Sequence, residues 1–244
     1  MVKITAIKLI WIRMKTETQN KLLKIVHDNY REIAAQFDVT RKKYIWPELE
    51  KVLSNLRDGY SVLDVGCGNG RLIENLTNKK VSYLGVDSSE ELIKLAKVNY
   101  PDQNFKVLDI LKLETLNQKF NLVISVAVLH HLPSKELRLQ ALEQLKSVCA
   151  PQGQIIFSVW RLWDNKKYQK YLFKNIWQKI TLRSDLEFGD LLFPWKNNKG
   201  EAVSVRYYHA FTKNGLRKLL VLAGFKNFKL YNDKHNYWVI VDTP

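Results

Sequence analysis

From Ser61 onward the chain alternates short β-branched or apolar runs with stretches whose apolar residues recur at helical spacing. That alternation predicts a parallel sheet covered by helices. Strands are expected over 61–66, 81–86, 104–109, 120–126 and 154–159, with helices over 69–77, 89–99 and 135–148 between them. Pro151 and Gly153 mark the stop of the last of these helices. A further helix over 212–223 precedes two runs, 225–231 and 237–241. Asn232, Asp233, His235 and Asn236 between those runs predict a hairpin, so the final strand is expected antiparallel. Upstream, Leu22, Val26, Tyr30, Ile33 and Phe37 share one helical face, and a short helix is expected over 46–56. The pattern reads as one α/β domain with a doubly wound, mostly parallel seven-stranded sheet. It divides into an N-terminal helical extension (1–60), a core (61–160), a substrate-side insertion (161–205), and a C-terminal helix and hairpin (206–244). The insertion is too long for a plain connection, and segments of that kind usually carry function.

Composition narrows the function classes. No apolar run in the 244 residues approaches the roughly 18 needed to cross a bilayer, which argues against a membrane protein. Two cysteines, Cys67 and Cys149, leave no disulfide framework and no cysteine-rich zinc site, so a reducing, cytoplasmic setting is expected and no metal is. The net charge is +15, and it is unevenly spread: +5 over 1–60, +1 over 61–150 and +9 over 151–244. A cofactor module needs no such excess, whereas a surface that binds a polyanion does. Lysine-rich proteomes also make basic proteins with no nucleic-acid role, so the segregation says more than the total.

Chemistry is concentrated at the predicted strand ends. Strand one runs into Gly66, Gly68 and Gly70, where glycines allow a sharp turn and close approach of a ligand. A dinucleotide site would space its glycines G-x-G-x-x-G, but here Arg71 stands where the later glycine would be, and Asp64 precedes the first by two positions. Asp87 ends strand two, 21 positions after Gly66, where a carboxylate can accept both hydroxyls of a ribose. Asp109 ends strand three and Ser125 to Ala127 end strand four. Singly, the loop could serve any nucleotide, Asp87 could cap a helix through Ser88 and Ser89, and Asp109 could be a turn residue. Together they fall where open α/β sheets bind ligands. The combination resembles the class I methyltransferases. That resemblance implies S-adenosylmethionine (SAM) as cofactor, held by Asp64, Gly66, Gly68, Asn69 and Gly70, by Asp87 and Ser88 at the ribose, by Asp109 and Ile110 at the adenine, and by Ser125 and Ala127 at the methionine.

The acceptor is harder to read. Base amino-methylating enzymes carry Asp/Asn-Pro-Pro-aromatic at the end of strand four, whereas this chain reads Ser125 through His130 and His131 there. Neither cysteine suits a nucleophile for cytosine methylation. The stretches 27–34, 37–43 and 125–132, with Trp46 and Pro47, Phe193 to Trp195, and Arg206 to Phe211, resemble the tRNA (carboxymethyluridine-34) methyl-ester methyltransferases over about residues 22–242. The likeness implies O-methylation of a carboxylate on a wobble uridine, with the tRNA anticodon loop as partner and a small activator subunit like that of eukaryotic relatives. It adds Arg41 to the cofactor site and Lys43, Trp46, Trp160 and Tyr207 to the RNA side. A carboxylate is anionic near pH 7 and needs no strong base, but it must be held in line and kept dry. Arg206 is the preferred holder, since guanidinium binds carboxylates bidentately, with His209 and one of His130 or His131 adding hydrogen bonds. Each histidine could instead bond backbone, and Arg206 could instead contact phosphate. Lys166, Lys170 and Lys174 line one helical face with Tyr168 and Tyr171 on other sides, a pattern that can meet phosphates and bases or can simply be solvated. A small-molecule O- or N-methyltransferase on the same scaffold, and a noncatalytic RNA-binding subunit, are the competing readings.

Overall fold

The computed structural model describes residues 14–40, 47–76, 78–181, 183–196 and 201–244. Arg41, Lys43 and Trp46 lie outside them. Helices α1 (Thr16–Thr40) and α2 (Pro47–Ser54) lead into the sheet. The strands β1 (Ser61–Val65), β2 (Ser82–Asp87), β3 (Asn104–Val107), β4 (Phe120–Val126) and β5 (Cys149–Trp160) follow, with α3 (Glu90–Asn99) and α4 (Lys135–Val148) among them. The insertion forms α5 (Lys166–Ile180) and strands β6 (Asp190–Lys196) and β7 (Ala202–His209). Helix α6 (Lys213–Leu222) and strands β8 (Phe228–Asn232) and β9 (Asn236–Asp242) close the chain. The main sheet runs β3-β2-β1-β4-β5-β9-β8. Its first five strands are parallel, and β9 lies antiparallel between β5 and β8.

Central strands covered on both faces must be apolar throughout, and Val62 to Val65 are all buried, Asp64 included. One core packs α4, α6 and the turn Ile110–Leu116 on one face, through residues such as Leu142, Leu145, Leu216 and Leu220. The other packs α2, α3 and the turn Arg71–Asn75, through Leu49, Leu53, Leu72 and Ile93. Ser89, Ser134 and Thr212 cap α3, α4 and α6 by accepting backbone N–H groups, which fixes where each helix starts relative to the strand before it.

Two departures from the sequence pattern position the site. The helix expected over 69–77 is only the 3₁₀ segment Arg71–Asn75, because left-handed Gly70 (φ +81°) delays its start and the return to β2 leaves too few residues for an α-helical nucleus. The insertion, expected over 161–205, builds an antiparallel β6–β7 hairpin that forms a second sheet and extends through His209. Arg206, Tyr207 and His209 therefore ride on the hairpin. Helix α1 braces it: Leu22 and Met14 pack with Tyr207, and Asn29 Nδ2 donates to Ser204 Oγ at 2.7 Å.

Candidate active site

The turn after β1 is shaped by its glycines. Gly66 (φ +74°) and Gly68 (φ +58°) are left-handed, and a Cβ on Gly66 would lie 2.3 Å from Val128 Cγ2. Only glycine lets the β4 loop settle against this turn. Gly68 N–H donates to Asp87 Oδ2 at 3.0 Å, and Ser89 N–H donates to Oδ1 at 2.9 Å. Strand ends one and two are thus clasped by one carboxylate. Burial pushes the Asp87 carboxyl above its ordinary range against the pull of those N–H bonds, and nearby Asp109 adds to the rise. Asp64, buried beneath the loop, accepts from the Tyr83 hydroxyl at 2.9 Å, and burial lifts it to about 7, with Asp87 adding and Arg71 opposing. Asp109 Oδ1 accepts Leu111 N–H at 2.9 Å, capping the turn whose first residue is buried Ile110. Asn69 is buried in the loop, while Ser88 is exposed at its rim.

The three aspartates, expected at separate strand ends, meet in a single crevice, where Asp87 is close enough to add to the rise of Asp64 and Asp109 to that of Asp87. Ser125, fully buried near the end of β4, has no hydrogen-bond partner for its Oγ among the described residues. Three acids at adjacent strand ends beside a left-handed glycine turn and a buried hydroxyl fit a ligand with a diol, a purine and a cationic centre. SAM has all three.

The acceptor side begins one turn further on. Ala127 is left-handed (φ +60°), a conformation that costs a non-glycine residue about 1 kcal/mol or more. Its N–H is held by Ser158 O at 3.0 Å and Ser158 Oγ at 3.2 Å. The chain then drops into the turn Leu129–His131, which buries both histidines. His130 sits among Trp160, Tyr208 and His131, with ring centroids 4.7, 5.3 and 4.4 Å away. Burial pushes its pKa far below the ordinary value, helped by His131 and His209, so the ring is neutral. Its Nδ1 accepts Trp160 N–H at 3.5 Å, which leaves the proton on Nε2, buried without a partner among the described residues. His131 has no such freedom: its Nε2 pairs with the Tyr30 hydroxyl at 2.7 Å, and it bonds the Tyr207 backbone. Burial, with Arg206 adding, drops it to about 3.

Arg206 lies flat on Trp195, its guanidinium carbon 3.3 Å from the ring centroid, and Nη1 donates to the Tyr208 hydroxyl at 3.4 Å. Its Nε is buried with no partner among the described residues. His209 Nδ1 lies 2.7 Å from Asp190 Oδ1, which also accepts from the Tyr207 hydroxyl at 2.8 Å. Glu187 N–H donates to the other oxygen at 2.7 Å, and Arg138 pairs with the Glu187 side chain. Burial and Arg138 lower the His209 pKa against the Asp190 bond. Glu187, Asp190 and His209 are close enough to share an ion, but Arg138 already supplies positive charge to this cluster.

Two expectations need revision here. Tyr207, expected at the RNA, is 1% exposed with its hydroxyl on Asp190, so it has no face for a substrate. Tyr168 and Tyr171 point inward to Phe193, 5.1 and 5.8 Å away, while Lys166, Lys170 and Lys174 are exposed as expected. Trp160 is half-buried against His130. Tyr30, Arg138, Glu187, Asp190, Trp195 and Tyr208 were not anticipated as partners. The Asp190–His209 pair is a register pair of the hairpin, and the turn-prone residue types of Asn197, Asn198 and Gly200 in the sequence were the signal that could have revealed it.

The sheet order and the acidic crevice define a class I, SAM-dependent methyltransferase, and residues 37–230 match the methyltransferase domain family. Solved structures share the fold: a SAM-dependent methyltransferase from Methanosarcina mazei (TM-score 0.64, 20% identity, 82% of this chain and 99% of that one) and magnesium protoporphyrin IX methyltransferase from Synechocystis with bound S-adenosylhomocysteine (0.58, 18%, 91% and 100%). In sequence, the tRNA (carboxymethyluridine(34)-5-O)-methyltransferase of Schizosaccharomyces pombe is 30% identical over 94% of this chain and 99% of its own length. The protein of that name in Saccharomyces cerevisiae is 33% identical over 64% of this chain and 54% of its own. The chain belongs to this tRNA methyltransferase family.

Proposed function

We propose that the protein methylates the side-chain carboxylate of a modified uridine at wobble position 34 of tRNA. The observation that carries the reading is a pair of buried N–H donors that find no acceptor among the described residues, His130 Nε2 and Arg206 Nε, both bordering Tyr208. Leaving such donors dry costs about 1–3 kcal/mol each, and an incoming carboxylate oxygen removes that cost. When bound, SAM supplies an electrophilic methyl group. Asp87 and Asp109 hold its nucleoside end, and the Gly66 turn with Asp64 and Ser125 its methionine end. His130, neutral and protonated on Nε2, orients one carboxylate oxygen, and Arg206, fixed in orientation by its stacking on Trp195, holds the anion. No base is needed, because the acceptor arrives ionised. His209 gives its Nδ1–H to Asp190 and keeps a lone pair on Nε2, so it anchors the hairpin rather than donating to the anion. The aromatic wall of Trp160 and Tyr208 excludes water from the reacting oxygen.

The test is incubation with methyl-labelled SAM and total tRNA, with and without a small zinc-binding partner from the same cells, then digestion to nucleosides. An alkali-labile label on a carboxymethyluridine-type nucleoside is expected, as a methyl ester requires. Label that survives mild alkali, or no label in tRNA under either condition, overturns the reading in favour of another acceptor.

A further inference from the structure

Helix α5 is an unusual element. Its fifteen residues include five lysines and no acidic residue. Lys179 is buried and donates to Leu186 O, but Lys166, Lys167, Lys170 and Lys174 are exposed. Lys166 and Lys167 stand in the first turn, where their charge opposes the positive end of the helix dipole. The inner face is well used: Leu172 and Asn175 are buried, and Tyr168 and Tyr171 pack on Phe193. On the outer face Phe173, Trp177 and Ile180 are 63%, 67% and 65% exposed. Positions 166, 170, 173, 177 and 180 follow one another by four and three residues, so lysines and rings form one stripe.

We infer that this stripe is a platform for a single-stranded segment of RNA, with Lys166, Lys170 and Lys174 on phosphates and Phe173 and Trp177 stacked on bases. The inference rests on the tRNA reading above and adds the surface that would seat the loop. Charge complementarity selects the occupant: a helix face without a carboxylate, on the chain segment carrying +9, suits a polyanion. An apolar protein partner would have to desolvate the interleaved ammonium groups. Rings among cations are how single strands are held without base readout. The platform also adjoins the acceptor site. Tyr168, on the inner side of α5, meets Tyr208 at 6.5 Å, and Tyr208 meets His130 at 5.3 Å.

The test compares the intact protein with Lys170→Glu/Lys174→Glu and with Phe173→Ala/Trp177→Ala, titrating a labelled anticodon stem–loop RNA and measuring SAM affinity separately. Each double variant is expected to weaken RNA binding by about tenfold or more, with SAM affinity unchanged. The lysine pair should also flatten the slope of log affinity against log salt by roughly two phosphate contacts, and the ring pair should leave that slope alone. Wild-type RNA affinity in both variants overturns the platform. So does unchanged RNA affinity with an altered oligomeric state, which would assign the stripe to a protein contact. If the variants lose RNA while the wild type never methylates tRNA, the platform stands and the substrate assignment falls. If methylation of tRNA proceeds and the variants bind normally, the reverse holds.

Discussion

The two halves of the site are built on opposite plans. The cofactor crevice takes its groups from the ends of adjacent parallel strands, so Asp64, Asp87 and Asp109 arrive beside one another by the repeat of the sheet. The acceptor face is assembled from distant pieces: Tyr30 of α1 reaches His131, and Asp190 of β6 reaches His209 of β7. The chemistry is opposite as well. On the first side burial raises carboxyls toward their neutral form, and on the second it lowers histidines and strips them of their charge. A cation relieves the first and an anion the second. One fold thereby carries two clusters whose buried groups are relieved by ligand charges of opposite sign, as the proposed sulfonium and carboxylate would supply.

The sharpest way to break this comparison is Arg206→Ala. Loss of the anion holder should lower kcat on tRNA by about 10²–10³-fold, as removal of a preorganised donor does, while SAM affinity stays within about twofold. Arg206→Lys should recover little, because an ammonium cannot lie on Trp195 and donate sideways at once. A parallel collapse of SAM binding would mean the halves are not separate. Next in size is Asp190→Asn. The fully buried carboxylate holds His209, Tyr207 and the Glu187 backbone, and an amide would turn a donor toward one of them. A loss near 3 kcal/mol is expected, lowering Tm by roughly 10 °C, with SAM affinity kept in the folded protein. An unchanged melting curve would show that the hairpin is anchored elsewhere.

The same contrast explains what the sequence made legible. The succession of strands along the chain, the antiparallel final strand and the strand-end aspartates follow from local period and spacing, and β4 and α4 fall on their expected residues. The hairpin did not show, because β6 is interrupted by Pro194 and the apolar run of the insertion reads equally as helix or strand. Histidine roles were beyond reach for a different reason. His130, His131 and His209 are chemically identical in a sequence, and only their partners (Trp160 N–H, the Tyr30 hydroxyl, Asp190) decide which nitrogen keeps a proton.

Within the crevice, Asp87→Asn should cost less than either change above. It keeps one acceptor for Gly68 or Ser89 and loses the charge proposed to meet the ribose. SAM affinity should fall by about 30-fold, near 2 kcal/mol, with methylation restored at saturating SAM. If kcat fell instead at saturation, Asp87 would belong to the reaction and the division would need redrawing.

The smallest effect is a pH dependence that belongs to the crevice alone. Asp64 has an ordinary value of 3.8 and sits at about 7 in the folded protein. Because its folded pKa is raised, the folded state holds a proton that the unfolded state has given up between those values. The group's contribution to stability is therefore greatest below about pH 4, declines as pH climbs, and is gone above pH 7. A bound cation prefers the ionised form, so SAM binding below pH 7 must expel that proton. Affinity should improve by up to about tenfold from pH 6 to pH 7.5, and calorimetry in buffers of different ionisation enthalpy should register proton release that vanishes by pH 8. Tyr83→Phe removes a hydrogen bond that lowers the Asp64 pKa, so the window should move upward, and Asp64→Asn should erase it. The acceptor face predicts no counterpart, since burial holds His130 and His131 neutral across this range. A flat profile for SAM binding, or one that follows tRNA instead, would show that the acid under the glycine turn does not answer to the cofactor.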